Sequence, residues 1–218
     1  MVTIHGVLRS RAMRNAWLCE EIGLPWRHVP VIQAYRLADP SAPDAPFNTA
    51  SPAFRQISPA GLVPVMEDDG LVLTESLAIN LYLARKYGGA LGPADIAEEG
   101  LFAQWTLWAA TEVEPRSIQI LQNRVQLPPD RRDEHKAEAA IAALRAPFAL
   151  LDAALAATGH PVGGRFTVAD INIAEVVRYA MTAPDLFAAA PRVAAWLAAC
   201  HARPAWKALA ARREAEPA

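Results

Sequence analysis

Residues 58–87 constrain this chain more than any other stretch. They open Ser58-Pro59-Ala60-Gly61-Leu62-Val63-Pro64 and continue through two short apolar runs, 63–66 and 71–73, on either side of the acidic turn Glu67-Asp68-Asp69-Gly70. Asp-Gly supplies the positive φ that a tight turn requires, so the two runs are predicted to pair as a β-hairpin. Thr74, Glu75 and Ser76 then stand where a helix begins, and Leu77, Leu81 and Ala84, with Ile79 and Leu83 beside them, give the periodicity of a buried helix.

Pro64 at a strand start cannot donate to the ladder, which leaves the N–H and C=O of Val63 free for another partner. The helix that follows begins with unpaired backbone N–H groups and the positive end of its dipole. Strand, turn, strand and helix N-terminus therefore form a place for an extended, charged peptide. Val63 would pair with its backbone as an added strand does, and Ser76 with the helix terminus would take a carboxylate.

These residues closely resemble the glutathione-binding half of the cytosolic glutathione transferases, whose pattern runs Asn-Pro-x-Gly-x-Val-Pro, then Glu-Ser-x-Ala-Ile, then Tyr-Leu. The resemblance covers essentially the whole chain. It implies an α/β N-terminal thioredoxin-like domain at 1–87, a linker at 88–95 and an all-α C-terminal helical domain at 96–218. It also implies glutathione as co-substrate, with Val63 (backbone), Glu75 and Ser76 holding it. Leu62 stands where many members carry lysine or arginine, so a contact to the glycyl carboxylate is missing or supplied elsewhere. Phe47, Asn48 and Thr49 fall where members place residues near the glycyl end, but they carry no assignment.

The rest of the chain agrees with that division. The segment 2–6 alternates like a strand, 12–22 carries a helical stripe of Ala12, Ala16, Cys19 and Ile22 with Trp17 and Leu18, and 26–31 reads as a second strand. Such a β-α-β start predicts parallel pairing through a right-handed crossover. Residues 34–57, rich in proline, are long for a plain connection and read as functional or mobile. With a short helix, the hairpin and the helix at 75–87, the first domain reads β-α-β-(short helix)-β-β-α. Beyond the break at Gly88-Gly89-Ala90-Leu91-Gly92-Pro93 the patterns are helical, at 96–122, 133–157, 168–181, 192–200 and 204–213. Thr167 with Asp170 three residues on makes a capping box, and Phe166 with Ile171 a hydrophobic staple.

Composition sets the outer bounds. At 218 residues with 53% hydrophobic and 20% charged, the chain is globular with a sizeable core, and 21 basic against 23 acidic residues give no field that favours nucleic acid or anionic membranes. No apolar run is read as transmembrane, and no signal peptide as present. Cys19 and Cys200 lie far apart without metal or redox spacing and fall on apolar helix faces, which suits a cytoplasmic setting and inert core thiols. The histidines show no ligand spacing, so no metal is expected.

The chemistry implied is stabilisation of a thiolate. Free thiols titrate near ~8.5, and lowering that by about two units takes roughly 2.7 kcal/mol of preference for the anion. A hydroxyl at a helix N-terminus supplies much of it through a charge-assisted hydrogen bond. Ser10, in the setting Ser10-Arg11-Ala12-Met13-Arg14, is similar to the Ser-x-x-x-Arg of serine-type members such as the theta class, and the resemblance makes it the catalytic residue. On residues alone the plain helix cap is the better reading of Ser10. Arg9, Arg11 and Arg14 form a basic cluster beside it, read as solvated, with one of them able to lean toward the sulfur. No tyrosine or cysteine occupies the loop.

A hydrophobic electrophile would sit between the domains, against the helix from Ile96. Trp105, Trp108 and Glu112 share a face there at i, i+3 and i+7, which is either core, a subunit interface or an aromatic wall for the substrate. The resemblance thus implies a cytoplasmic, homodimeric glutathione transferase active in detoxification. Two alternatives remain: glutathione-dependent reduction of disulfides or peroxides, and a non-catalytic binding or interaction protein on the same fold.

Overall fold

A computed structural model describes residues 1–216 and divides them into two compact units, Met1–Gly89 with the helix that starts at Pro204, and Ala90–Arg203. The first unit runs β1 (Val2–His5), α1 (Ala12–Glu21), β2 (Trp26–Val29), α2 (Pro52–Ile57), β3 (Val65–Asp68), β4 (Leu71–Thr74) and α3 (Ser76–Tyr87). β1 pairs in parallel with β2, with Ile4 opposite His28, and antiparallel with β3, with His5 opposite Val65. The sheet order is β2-β1-β3-β4. Both halves expected from the sequence, β-α-β and β-β-α, are present. The hairpin closes through Asp69 at φ 49° and Gly70 at φ 86°, the positive pair that a two-residue turn of this hand needs.

α1 is buried along Ala12–Cys19, on every face. Cys19 is fully inaccessible, and burial together with the neighbouring Glu20 charge pushes its thiol up to about 12. Iodoacetamide at about pH 8 should leave Cys19 untouched in the native protein, with alkylation read by mass spectrometry appearing only as the fold opens. The 34–57 connection has its own polar knot. Buried Asn48 donates through Nδ2 to Pro40 O (3.0 Å) and Pro46 O (2.8 Å) and accepts from Ala50 N–H (2.8 Å).

The second unit is helical. α4 (Ile96–Trp108) is capped by Asp95, which accepts from Glu98 N–H, and runs without a break into a π turn at Ala109–Val113, then α5 (Glu114–Leu121) and a second π turn at Gln122–Gln126. The single helix predicted over 96–122 is therefore a helical run with two wider turns, each adding a residue to the count. α6 (Glu134–Thr158), α7 (Val168–Val177), α8 (Pro184–Ala188) and α9 (Pro191–Ala202) follow. α8 is a five-residue helix that no periodicity announced. α10 (Pro204–Ala215) belongs to the first unit, where it packs on α1.

Among the described residues α6 is the one helix long and apolar enough, by length and composition, to cross a membrane, which the sequence reading did not see. Its apolarity comes largely from alanine. The buried residues Ala137, Ala140, Ile141, Leu144, Phe148, Leu151 and Leu155 form one stripe, and the helix packs on α5 and α9. That is the pattern of a core helix.

α7 is buried at all ten positions, and its start is built as the capping box predicts. Asp170 Oδ2 accepts from Thr167 N–H (2.8 Å), while Oδ1 accepts from Trp196 Nε1–H (2.8 Å) and lies 2.8 Å from His160 Nδ1. The hydrogen bond to Asp170 holds the His160 imidazole above its usual value, against the opposing pull of burial. The folded value thus exceeds the unfolded one. The pair's contribution is fully present below the unfolded value and is lost as pH rises through the raised folded value. His160→Gln should therefore destabilise the protein more at about pH 5 than at about pH 9 in paired urea melts. Asp170→Ala should cost about 3 kcal/mol or more at either pH, because it strands two buried donors.

Candidate active site

β1 ends at His5, and the chain then turns on Gly6 (φ +134°), whose N–H donates to Val29 O at 2.9 Å. A Cβ built on Gly6 would lie 3.0 Å from Ala12 Cβ, 3.2 Å from Val63 Cβ and 3.4 Å from Ser10 Oγ. Three segments meet at this point, and a side chain there would push them apart. The sequence reading treated Gly6 only as a strand end, although a glycine between a strand and the Ser10 loop was the signal available.

Ser10 is half-buried. Its Oγ donates to Val7 O (2.7 Å) and accepts from Ala12 N–H (3.1 Å), so the hydroxyl closes a local turn and braces the first turn of α1. The bracing N–H also makes the hydroxyl a better donor.

On the other side of Gly6, the Val63–Pro64 peptide bond is cis, and among the described residues neither the N–H nor the C=O of Val63 has a hydrogen-bond partner. Ser58, buried and missed by the sequence reading, staples the preceding residue: its Oγ donates to Leu62 O (3.1 Å) and accepts from Leu62 N–H (3.2 Å). Leu62 itself is 63% exposed. The guanidinium of Arg55 lies against Gly61, with Nη1 donating to Pro59 O (2.9 Å), and brings a positive charge next to the position where Leu62 has none.

α3 opens at Glu75, an exposed residue at φ 65° and ψ 104°, an unfavourable conformation for any side chain. No side-chain bond caps the helix. Ser76 is buried, and its Oγ accepts from Arg14 Nη1–H at 3.1 Å. Arg14 is 1% exposed, so the sequence expectation of a solvated Arg9–Arg11–Arg14 cluster fails at this member. The reason is that α1 has no solvent face at this level, and the guanidinium can go only toward α3. Asn15 Nδ2 donates to Ser76 O (2.7 Å) and Asn80 Oδ1 (2.7 Å), and Asn80 Nδ2 donates to Arg14 O (3.2 Å). Because the Ser76 hydroxyl takes its acceptor role from Arg14, its own proton is left to point elsewhere.

The rest of the residues singled out in the sequence divide clearly. His5 is buried with Nε2 at 2.6 Å from Glu67 Oε1 on the neighbouring strand. In the second unit Trp105 is 9% exposed and stacks edge-on with Trp108 at 4.9 Å between ring centroids. Glu112 lies inside the first π turn, exposed and ion-paired with Arg116 at 3.3 Å. The face counted from Trp105 through Trp108 to Glu112 assumed an unbroken α-helix, and the wider turn intervenes.

Chemically, the first unit offers an unpaired backbone edge, two serine hydroxyls, a helix N-terminus and a buried guanidinium behind one of the serines. These are groups for an extended peptide carrying negative charge.

Comparisons with known proteins bear on the family and the fold. Residues 4–91 match the model for the glutathione S-transferase N-terminal domain, and residues 133–199 match that for the C-terminal domain. The chain is 31% identical to the glutathione S-transferase GstB of Escherichia coli over 94% of its own length and 95% of that protein's. It is 32% identical to glutathione S-transferase 3 of Schizosaccharomyces pombe over 53% of its length, a match that spans 43% of that relative. Among solved structures, the theta class glutathione S-transferase of Xanthomonas axonopodis pv. citri, crystallised with glutathione bound, superposes with a TM-score of 0.78 at 32% identity, covering 94% of this chain and 95% of that one. The two family models and the relative matched over nearly its whole length lead to one conclusion: the chain belongs to the glutathione S-transferase family.

Proposed function

We propose that this enzyme binds glutathione in its first unit and adds the glutathione thiolate to a hydrophobic electrophile. The observation that carries the reading is the partnerless backbone of Val63, with the Ser10 hydroxyl on one side and Ser76, backed by Arg14, at the start of α3. The cysteinyl residue of glutathione pairs with Val63, which brings its sulfur toward Ser10. The γ-glutamyl carboxylate sits at the N-terminus of α3, where Ser76 donates its free proton and Glu75 takes the amino group. Arg55 faces the glycyl end in place of the basic residue that Leu62 lacks.

The thiol loses its proton to solvent, Ser10 stabilises the resulting anion, and the thiolate attacks the electrophilic carbon. A carbon–sulfur bond forms, and the leaving group departs with its electron pair, with no covalent enzyme intermediate. Positioning of two bound reactants and stabilisation of the anion account for the rate. Trp108 is assigned to the aromatic wall for the electrophile. The protein works in the cytoplasm, in detoxification, as a homodimer. The dimer is supported by exposed apolar residues on α4, with Ile96 81% and Leu107 64% exposed.

Calorimetric titration with glutathione between about pH 6 and pH 9 tests the reading. It predicts binding accompanied by proton release near neutrality. Ser10→Ala should lower kcat about 10²-fold and abolish that release. Ser76→Ala should raise the KM for glutathione about tenfold with kcat within about twofold of the parent. Binding without proton release would instead favour a redox or holding role, and no binding at millimolar glutathione would end the proposal.

A further inference from the structure

The turn that carries Ser10 is held by a helix far away in the sequence. Ser10 N–H closes the turn on Val7 O at 3.0 Å, and Arg9 is its third residue, with its backbone N–H and C=O and two of its guanidinium nitrogens engaged. The Arg9 N–H donates to Glu216 Oε2 (3.3 Å), and its carbonyl accepts from Arg36 Nη2–H (3.0 Å). Its guanidinium donates through Nε to Arg213 O (3.1 Å) and through Nη2 to Glu214 O (3.0 Å). Those carbonyls belong to the last turn of α10, where orphan acceptors and the negative end of the dipole favour a cation.

Glu216 reaches the turn at a second point. Its Oε1 is buried, accepts no hydrogen bond among the described residues, and lies 3.7 Å from His28 Nε2, which in turn is 2.8 Å from Gly6 O. One carboxylate thus bonds the Arg9 end of the Gly6–Arg9 segment directly and approaches the Gly6 end only by way of His28. α10 is itself fastened to the unit by Arg212, which donates to Glu20 (3.2 Å) and lies over the Trp26 ring (5.6 Å).

We infer that Arg9 and Glu216 are positioning residues, through which α10 clamps the turn that presents Ser10 and so sets how readily a glutathione thiolate forms. The inference rests on the reading of Ser10 as the thiolate donor. To serve a thiolate, the Ser10 proton must leave Val7 O while Oγ keeps its place over Ala12 N–H. Hydrogen bonds weaken steeply with misalignment, so a turn free to shift would deliver that proton less well. The clamp fixes both backbone groups of the residue next to Ser10 and leaves the hydroxyl rotor as the one freedom needed. It also accounts for the charge of Arg9, which is committed to the α10 carbonyls.

The test is the pKa of glutathione's thiol when bound to the full-length protein, read from the ultraviolet absorbance of the thiolate and from the pH profile of kcat/KM. Arg9→Ala should raise it by about one unit, a tenfold loss of thiolate below that pKa, while the KM for glutathione changes less than about threefold. Arg9→Lys should fall between, since one ammonium cannot span two carbonyls in a fixed fork. Glu216→Ala should shift the value in the same direction, and it keeps the test alive if Arg9→Ala proves unfolded by circular dichroism. In a Ser10→Ala background, Arg9→Ala should shift nothing further. If Ser10→Ala moves the pKa but neither Arg9→Ala nor Glu216→Ala does, the clamp is overturned and the Ser10 reading stands. An equal shift by Arg9→Ala with and without Ser10 would make Arg9 act on the sulfur directly and would also overturn it. If Ser10→Ala leaves the pKa in place, the clamp falls together with the reading on which it rests.

Discussion

Everything in the first unit that bears on function is referred to one buried polar layer between α1 and α3. Arg14, Asn15, Ser76 and Asn80 are almost without solvent exposure and are joined by four hydrogen bonds between 2.7 and 3.2 Å. Burying a guanidinium costs several kcal/mol unless its donors are met, so the layer is a poor way to gain stability. What it supplies is register. Apolar packing alone lets two helices slide by a fraction of a turn, whereas directional bonds to two backbone carbonyls and two side chains do not. α1 begins just after Ser10 and α3 begins at Ser76, so fixing one helix on the other also fixes the two hydroxyls relative to each other.

The parts of this arrangement that were legible in the sequence were those with local causes. Asp69-Gly70 needs no distant partner to make its turn, Thr167 and Asp170 cap a helix wherever it packs, and Pro64 removes a donor in any context. Fold class followed from these and from periodicity. The parts that were hidden depend on what lies across the core. Arg14 reads as a surface charge because three arginines in six positions look solvated, and only the burial of the whole α1 cylinder sends this one inward. Ser58 is an ordinary turn residue until Leu62 is seen folded back on it. The π turns at Ala109–Val113 and Gln122–Gln126 follow no composition rule, which is why a face counted at 3.6 residues per turn went astray at Glu112. α10 carries a helical pattern in its own residues, but nothing in them says that it packs on α1.

The local conformation of Glu75 fits the same account. A glutamate at φ 65° is held in a costly backbone state, and glycine would relieve it at once. The residue is exposed, so no packing requirement explains the side chain. Its backbone must turn sharply to bring α3 back onto α1 immediately after β4, and on the proposed reading a carboxylate at this corner meets the amino group of glutathione. On that reading the strain is a cost of keeping both the corner and the charge.

On the reading proposed for Ser10, its resting hydrogen bond explains why a single hydroxyl suffices. In the structure the hydroxyl donates its proton to Val7 O, a neutral acceptor at 2.7 Å. A neutral thiol is a weaker acceptor than a carbonyl, so it gives the proton no reason to move. A thiolate does, since a charge-assisted bond is roughly twice as strong as a neutral one. Ser10 then contributes almost nothing to binding the thiol and contributes most of a strong bond to the anion. An interaction present in only one ionisation state appears in full as a shift of the pKa, and an interaction of equal strength in both would shift nothing. The local turn that makes Ser10 look like an ordinary cap is therefore also what reserves its proton for the charged form.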